Sequence, residues 1–170
     1  MENLLAQERK AILDRWKKSL LEAYPTELTS FLTGVDDRFR NPVGYTLVQG
    51  LDRIYESLAG WAGDGTAESA IEDIIRIRAV QDFSPSDAVG FMMPLKAFVG
   101  EAAEKAGRKG TAGTDAFRAE VARVETEIDR MTLFAVDCYV KCREAIFQVR
   151  VREASAGGMM GASVMRRRIR

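Results

Sequence analysis

The amino-acid sequence predicts an all-α protein, a bundle of about six helices that ends in one long C-terminal helix. Three observations carry that expectation. Apolar residues recur every three or four positions through most of the chain, the mark of helices with one buried face. No run alternates apolar and polar residues as a half-buried strand does. From Thr114 to about Glu153 there is neither proline nor glycine, so a single helix of about 60 Å, at 1.5 Å per residue, is expected there.

Taken in order, Leu5, Ile12, Leu13, Trp16, Leu20 and Leu21 form the apolar side of a first helix that ends near Tyr24-Pro25, and Thr26–Leu32 forms a short second one. Asn41 before Pro42 reads as an N-cap with proline at the first helical position. Leu47, Leu51, Ile54, Leu58 and Trp61 then continue a helix that Gly63-Asp64-Gly65 stops. Thr66 is expected to cap the next, which carries Ile71, Ile74, Ile75 and Ile77, with Glu68, Glu72 and Asp73 near its start, where the helix dipole favours acids.

Ser84-Pro85-Ser86-Asp87 is the clearest start signal: Ser84 at N-cap, Pro85 at N1 and Asp87 in the capping-box position. The helix it opens is expected to run through Val99 with a kink at Pro94, which removes a backbone donor and clashes with the Gly90 carbonyl. Gly107–Gly113 reads as a basic loop. On the last helix, Phe117, Val121, Val124, Ile128, Met131, Ala135, Cys138, Cys142, Ala145 and Val149 alternate by four and three as a heptad seam. A second stripe, Leu133, Val136, Val140, Phe147 and Val151, lies roughly opposite. Two apolar faces need two covers: the chain's own core and a second copy. The homodimer interface is placed on the heptad seam through Val121, Val124, Ile128, Met131, Ala135, Cys138, Cys142 and Val149, with the opposite stripe left open as the alternative seam. Residues 1–153 are read as one domain with its last helix at 114–153, and residues 154–170, ending in Arg166-Arg167-Arg168-Ile169-Arg170, as a flexible basic tail.

Composition narrows the function. The chain has 170 residues, 25 Lys+Arg against 25 Asp+Glu, two cysteines and no histidine. The balanced charge gives no global field toward nucleic acid. The first ten residues are polar and charged without an apolar signal segment, and no apolar run reaches a membrane-spanning length, so a cytoplasmic protein is expected. Without histidine the commonest general base, metal ligand and haem ligand are missing. No nucleophile triad, phosphate-cradling loop or metal-spaced cluster is present, which points away from an enzyme and from a bound cofactor or metal.

Candidate ligand contacts cluster around Arg78. A wheel centred on Ile74 places Arg78 and Gln81 on the core side, where a guanidinium needs partners. The structural reading pairs Arg78 with Asp82 or Asp87. The functional reading makes it an anion anchor in a pocket with Gln81, Gly90, Met92 and Pro94, opened by the kink. Cys138 and Cys142, four apart on the heptad seam, read as small buried residues, with a thiol redox sensor as the alternative.

The segments Arg38-Phe39-Arg40-Asn41-Pro42-Val43-Gly44 and Ile74 through Phe91 resemble the N-terminal domain of RsbT co-antagonist proteins of the RsbRD type, over roughly Arg9 to Val151. The resemblance implies a globin-like, non-haem helical sensor domain that forms dimers through terminal helices, serves signal transduction and the stress response, and acts on a regulatory partner protein or answers a small ligand. In the family the long helix leads into a STAS domain with phosphorylatable residues, and this sequence stops at Arg170. Stand-alone relatives imply, as the alternative, a cofactor- or thiol-based redox sensor beside the electron-transfer machinery of anaerobic sulfate reducers.

Overall fold

The computed structural model describes residues 2–25, 41–108 and 114–166, with backbone only at 2, 3 and 156–166. Among the described residues there are five long helices and one of a single turn. They are α1 (Glu2–Glu22), α2 (Pro42–Leu58), α3 (Thr66–Val80), the short α4 (Pro85–Val89), α5 (Met93–Arg108) and α6 (Asp115–Arg166), with a 3-10 turn at Gly90–Met92 between α4 and α5. No strand occurs among them, so the fold is all-α, as the spacing predicts. The helix expected at Thr26–Leu32, the segment Arg38–Arg40 and most of the basic loop lie outside the described residues.

The local signals act as their chemistry requires. Asn41 caps α2 by accepting a bond from the Gly44 N–H at 2.8 Å, with Pro42 at the first position. Ser84 accepts from the Asp87 N–H at 3.2 Å and donates to the Asp87 carboxylate at 2.5 Å. The cap of α3 is Gly65 rather than Thr66, because the chain enters the helix at φ +76°, a conformation glycine adopts without strain.

Pro94 does not kink a continuous helix. After one turn the chain tightens into the 3-10 segment and α5 begins afresh at Met93, so Pro94 falls in a first turn, where its missing N–H costs nothing. At the other end α6 passes the expected boundary at 153 and continues to Arg166, a rod of about 78 Å. Gly157 and Gly158 lower helix propensity by about 1 kcal/mol each, but with no proline nearby the backbone bonds continue through them.

α2 packs on α3 and α1, α3 on α6, and α1 on α5 and α2, around one core that includes Trp16, Leu47, Tyr55, Ile71, Ile74, Met92 and Leu95. α2 approaches α3 most closely at Gly50, where an added Cβ would sit 2.8 Å from Ile74 Cδ1 and 3.0 Å from its Cγ1. Ile74 is fully buried and β-branched, so it has nowhere to turn. Overpacking costs about 1–3 kcal/mol and alanine's better helix propensity returns up to about 1, so Gly50→Ala is expected to destabilise by about 1–2 kcal/mol in urea or thermal unfolding.

Tyr55, buried among the same helices, donates its hydroxyl to the Leu5 carbonyl at 2.8 Å. Burial pushes its pKa well above the ordinary 10.0, with nearby Arg9 opposing and Glu8 assisting. A proton held more tightly in the folded state contributes stability that is complete below the unfolded value and is lost as pH rises toward the folded one. Melting temperature is therefore expected to fall steeply above about pH 10, and less steeply in Tyr55→Phe.

Candidate functional site

α6 carries the two apolar stripes, and the structure tells them apart. Val124, Ile128, Met131, Ala135 and Cys138 are buried in the chain's own core. Within the single chain these five members of the seam face inward, on a helix that packs chiefly against α3 and also against α4, α5 and α2. Of the other seam residues, Cys142 is half-buried, Val149 is exposed, and Val121 is half-buried beside a groove between α5 and α6. The second stripe is the uncovered one, with Leu133 69%, Val140 58% and Phe147 63% exposed, joined by Val136 and Val151. From Phe147 through Ser155 every described side chain is exposed, with Arg150 reaching back to the helical body at Asp82.

Where α6 leaves the body it is gripped by the corner that joins α3 to α4. The corner is a Schellman closure: the Asp82 N–H bonds the Ala79 carbonyl at 3.3 Å and the Phe83 N–H bonds the Arg78 carbonyl at 3.2 Å. Asp82 occupies the left-handed position at φ +58°, where glycine is usual, at a cost of about 1 kcal/mol. Its carboxylate faces Arg143 at 2.6 Å and Arg150 at 3.6 Å. The Arg143 hydrogen bond first, and Arg150 second, hold that carboxyl below the usual range. Arg143 also donates to the Ala79 carbonyl at 3.1 Å, and Tyr139 donates to the Phe83 carbonyl at 2.7 Å.

On its inner side the same corner rests on Arg78, which is 1% exposed. Arg78 pairs with neither Asp82 nor Asp87 through a carboxylate hydrogen bond. Its guanidinium donates to the Asp87 backbone carbonyl at 2.7 Å and the Leu20 carbonyl at 3.3 Å. These oxygens belong to the last turns of α4 and α1, which have no intrahelical N–H to accept from and carry the negative end of the helix dipole. The rings of Phe83, Phe91 and Tyr24 surround the charge with centroids 5.0, 5.3 and 5.6 Å away. Burial lowers the Arg78 pKa, with Tyr24 and Asp87 opposing.

The pocket expected around Arg78 is thus occupied by aromatic side chains. Gln81 is exposed and accepts from the Tyr24 hydroxyl at 3.2 Å, Met92 is packed in the core, Gly90 lies in the 3-10 turn, and Pro94 is half-buried at the start of α5. None of these five residues lines any of three grooves among the described residues, of about 610, 470 and 590 Å³, which lie between α1 and α5, between α5 and α6, and beside Gly60–Gly65. Sequence reasoning missed the grip of Tyr139, Arg143 and Arg150. The one available signal was their spacing of four and seven, which sets three polar side chains on one side of a helix.

The two cysteines differ in exposure. Cys138 is buried, and burial first, then Glu72, pushes its thiol pKa up. Cys142 is only half-buried, so iodoacetamide at neutral pH is expected to alkylate Cys142 well before Cys138, as peptide mass spectrometry would show. Among the described residues no three His, Cys, Asp or Glu side chains are placed to hold a metal ion, and no helix is long and apolar enough to cross a membrane.

Fold and site together define an all-helical domain organised on one long helix, with an uncovered apolar face where that helix leaves the body. Residues 10–154 match the family model of the RsbT co-antagonist protein rsbRD N-terminal domain, and the chain belongs to that family, a family of regulatory domains and not a known family of enzymes. It is also similar to an uncharacterised protein of Archaeoglobus fulgidus, 24% identical over 163 residues, spanning 93% of this chain and 92% of the relative. No solved structure matches the chain.

Proposed function

We propose that the chain is a non-enzymatic regulatory and sensory domain of the stressosome type that works as a homodimer, with α6 as both the dimer seam and the output lever toward a partner protein. The observation that carries this reading is the uncovered stripe Leu133, Val136, Val140, Phe147 and Val151, on the side of α6 opposite its core-facing residues. An apolar face of that length on a protruding helix is stabilised by burial against a like face, and two-fold pairing of one stripe with itself is the commonest arrangement. In this reading the helical shell is globin-like without haem, the compartment is cytoplasmic, and a small ligand or a partner sets the signal. Sedimentation equilibrium of the full chain at micromolar concentration tests it: a dimer is expected, and a monomer would remove its support.

A further inference from the structure

Asp82 has no need of its two arginines to cap α3, since the backbone closes that helix by itself. Its carboxylate reaches out of the corner to α6, and α6 answers with three side chains. Tyr139 holds the Phe83 carbonyl, Arg143 holds the Ala79 carbonyl and the Asp82 carboxylate, and Arg150 closes on the second carboxylate oxygen. On a helix of 3.6 residues per turn, Arg143 and Arg150 lie on the flank between the core face and the uncovered stripe. Beyond them every described side chain of α6, through Ser155, is exposed.

The corner is tied to α1 as firmly as to α6. Arg78 bonds the Leu20 carbonyl, the Tyr24 hydroxyl bonds Gln81, and the Tyr24 and Phe83 rings meet at 5.2 Å. The last turn of α1, the corner and the exit of α6 therefore form one contiguous set of contacts. Its inner part is buried and held by Arg78, and its outer part is a solvent-exposed ion pair on a residue in a conformation that side chains rarely adopt.

We propose that the corner Ala79–Phe83 is a clasp that fixes the exit direction of α6, with Asp82, gripped by Arg143 and Arg150, as its releasable part. Movement of the last turn of α1 reaches the free half of α6 through this corner. This regulatory role rests on the reading of α6 as the output lever, but the clasp itself is tested within one chain.

Asp82→Gly is the informative variant, because glycine favours the left-handed corner and removes only the carboxylate arm. Spin labels carried by noncanonical residues at Ser69 on α3 and Glu153 on α6 report the exit direction by pulsed electron resonance, with labelled chains diluted in unlabelled ones. One narrow distance is expected for the parent. Loss of that single narrow distance is expected in Asp82→Gly and in the Arg143→Ala/Arg150→Ala pair, with no added effect when the two are combined. Asp73→Asn, which removes an acid paired with Arg53 and Arg76 elsewhere on α3, should leave the distance unchanged. An unchanged distance in Asp82→Gly, with helical content retained, overturns the clasp. A change in Asp73→Asn equal to that in Asp82→Gly overturns it too. Sedimentation of the same samples reads the dimer separately, so failure of the clasp and failure of the dimer are told apart.

Discussion

Arg78→Ala is expected to cost about 3–5 kcal/mol of stability, a large share of the roughly 5–15 kcal/mol that holds a domain folded, whereas Arg78→Met should cost only about 1–3 kcal/mol. The difference follows from what surrounds the side chain. Alanine leaves a cavity walled by the rings of Tyr24, Phe83 and Phe91 and strips the last-turn carbonyls of Leu20 and Asp87 of their donor. Methionine refills the space and leaves only the two carbonyls without Arg78. A large part of what Arg78 gains is offset by desolvation: its Nε has no hydrogen-bond partner, and no carboxylate hydrogen-bonds the guanidinium among the described residues. Urea unfolding followed by circular dichroism orders the variants. Equal losses for alanine and methionine would show that the bonds to the helix ends, and not the filled volume, dominate. A loss under 1 kcal/mol for alanine would refute the account altogether.

Arg78 also shows how far the sequence is legible. The wheel places a cation on the core side of α3, and it is there. Its partners are not readable, because they are backbone oxygens at the ends of two other helices, and a carbonyl carries no residue identity. Asp82 is hidden for the opposite reason: the left-handed position calls for glycine, and the chain places there a residue whose carboxylate is used by α6. Caps depend on atoms within three residues and are legible from Asn41 and from Ser84 to Asp87. Pro94 reads wrongly because an apolar spacing continuous across Gly90 conceals the 3-10 turn where one helix ends and another starts. The two stripes of α6 have spacings that each satisfy a helix. Which of them turns inward is decided by the face that α3 presents, and only the fold supplies that.

That choice of stripe can be tested in one comparison, Val140→Asp/Phe147→Asp against Ile128→Asp. Val140 and Phe147 are mostly exposed in the single chain, so charging them is expected to change the unfolding free energy of the monomer by no more than about 0.5 kcal/mol. In a two-fold dimer each substitution occurs twice. At about 1.5 kcal/mol for each apolar side chain no longer buried, four lost contacts weaken association by about 6 kcal/mol, or on the order of 10⁴ in dissociation constant. The expected result in sedimentation is a helical monomer where the parent is a dimer. Ile128 is 1% exposed, and a carboxylate there has no partner, so Ile128→Asp should unfold the chain instead of dissociating it. A dimer that survives Val140→Asp/Phe147→Asp unchanged would move the seam off this stripe. The exposed apolar residues Leu133, Val140 and Phe147 would then be read as a surface for a different protein.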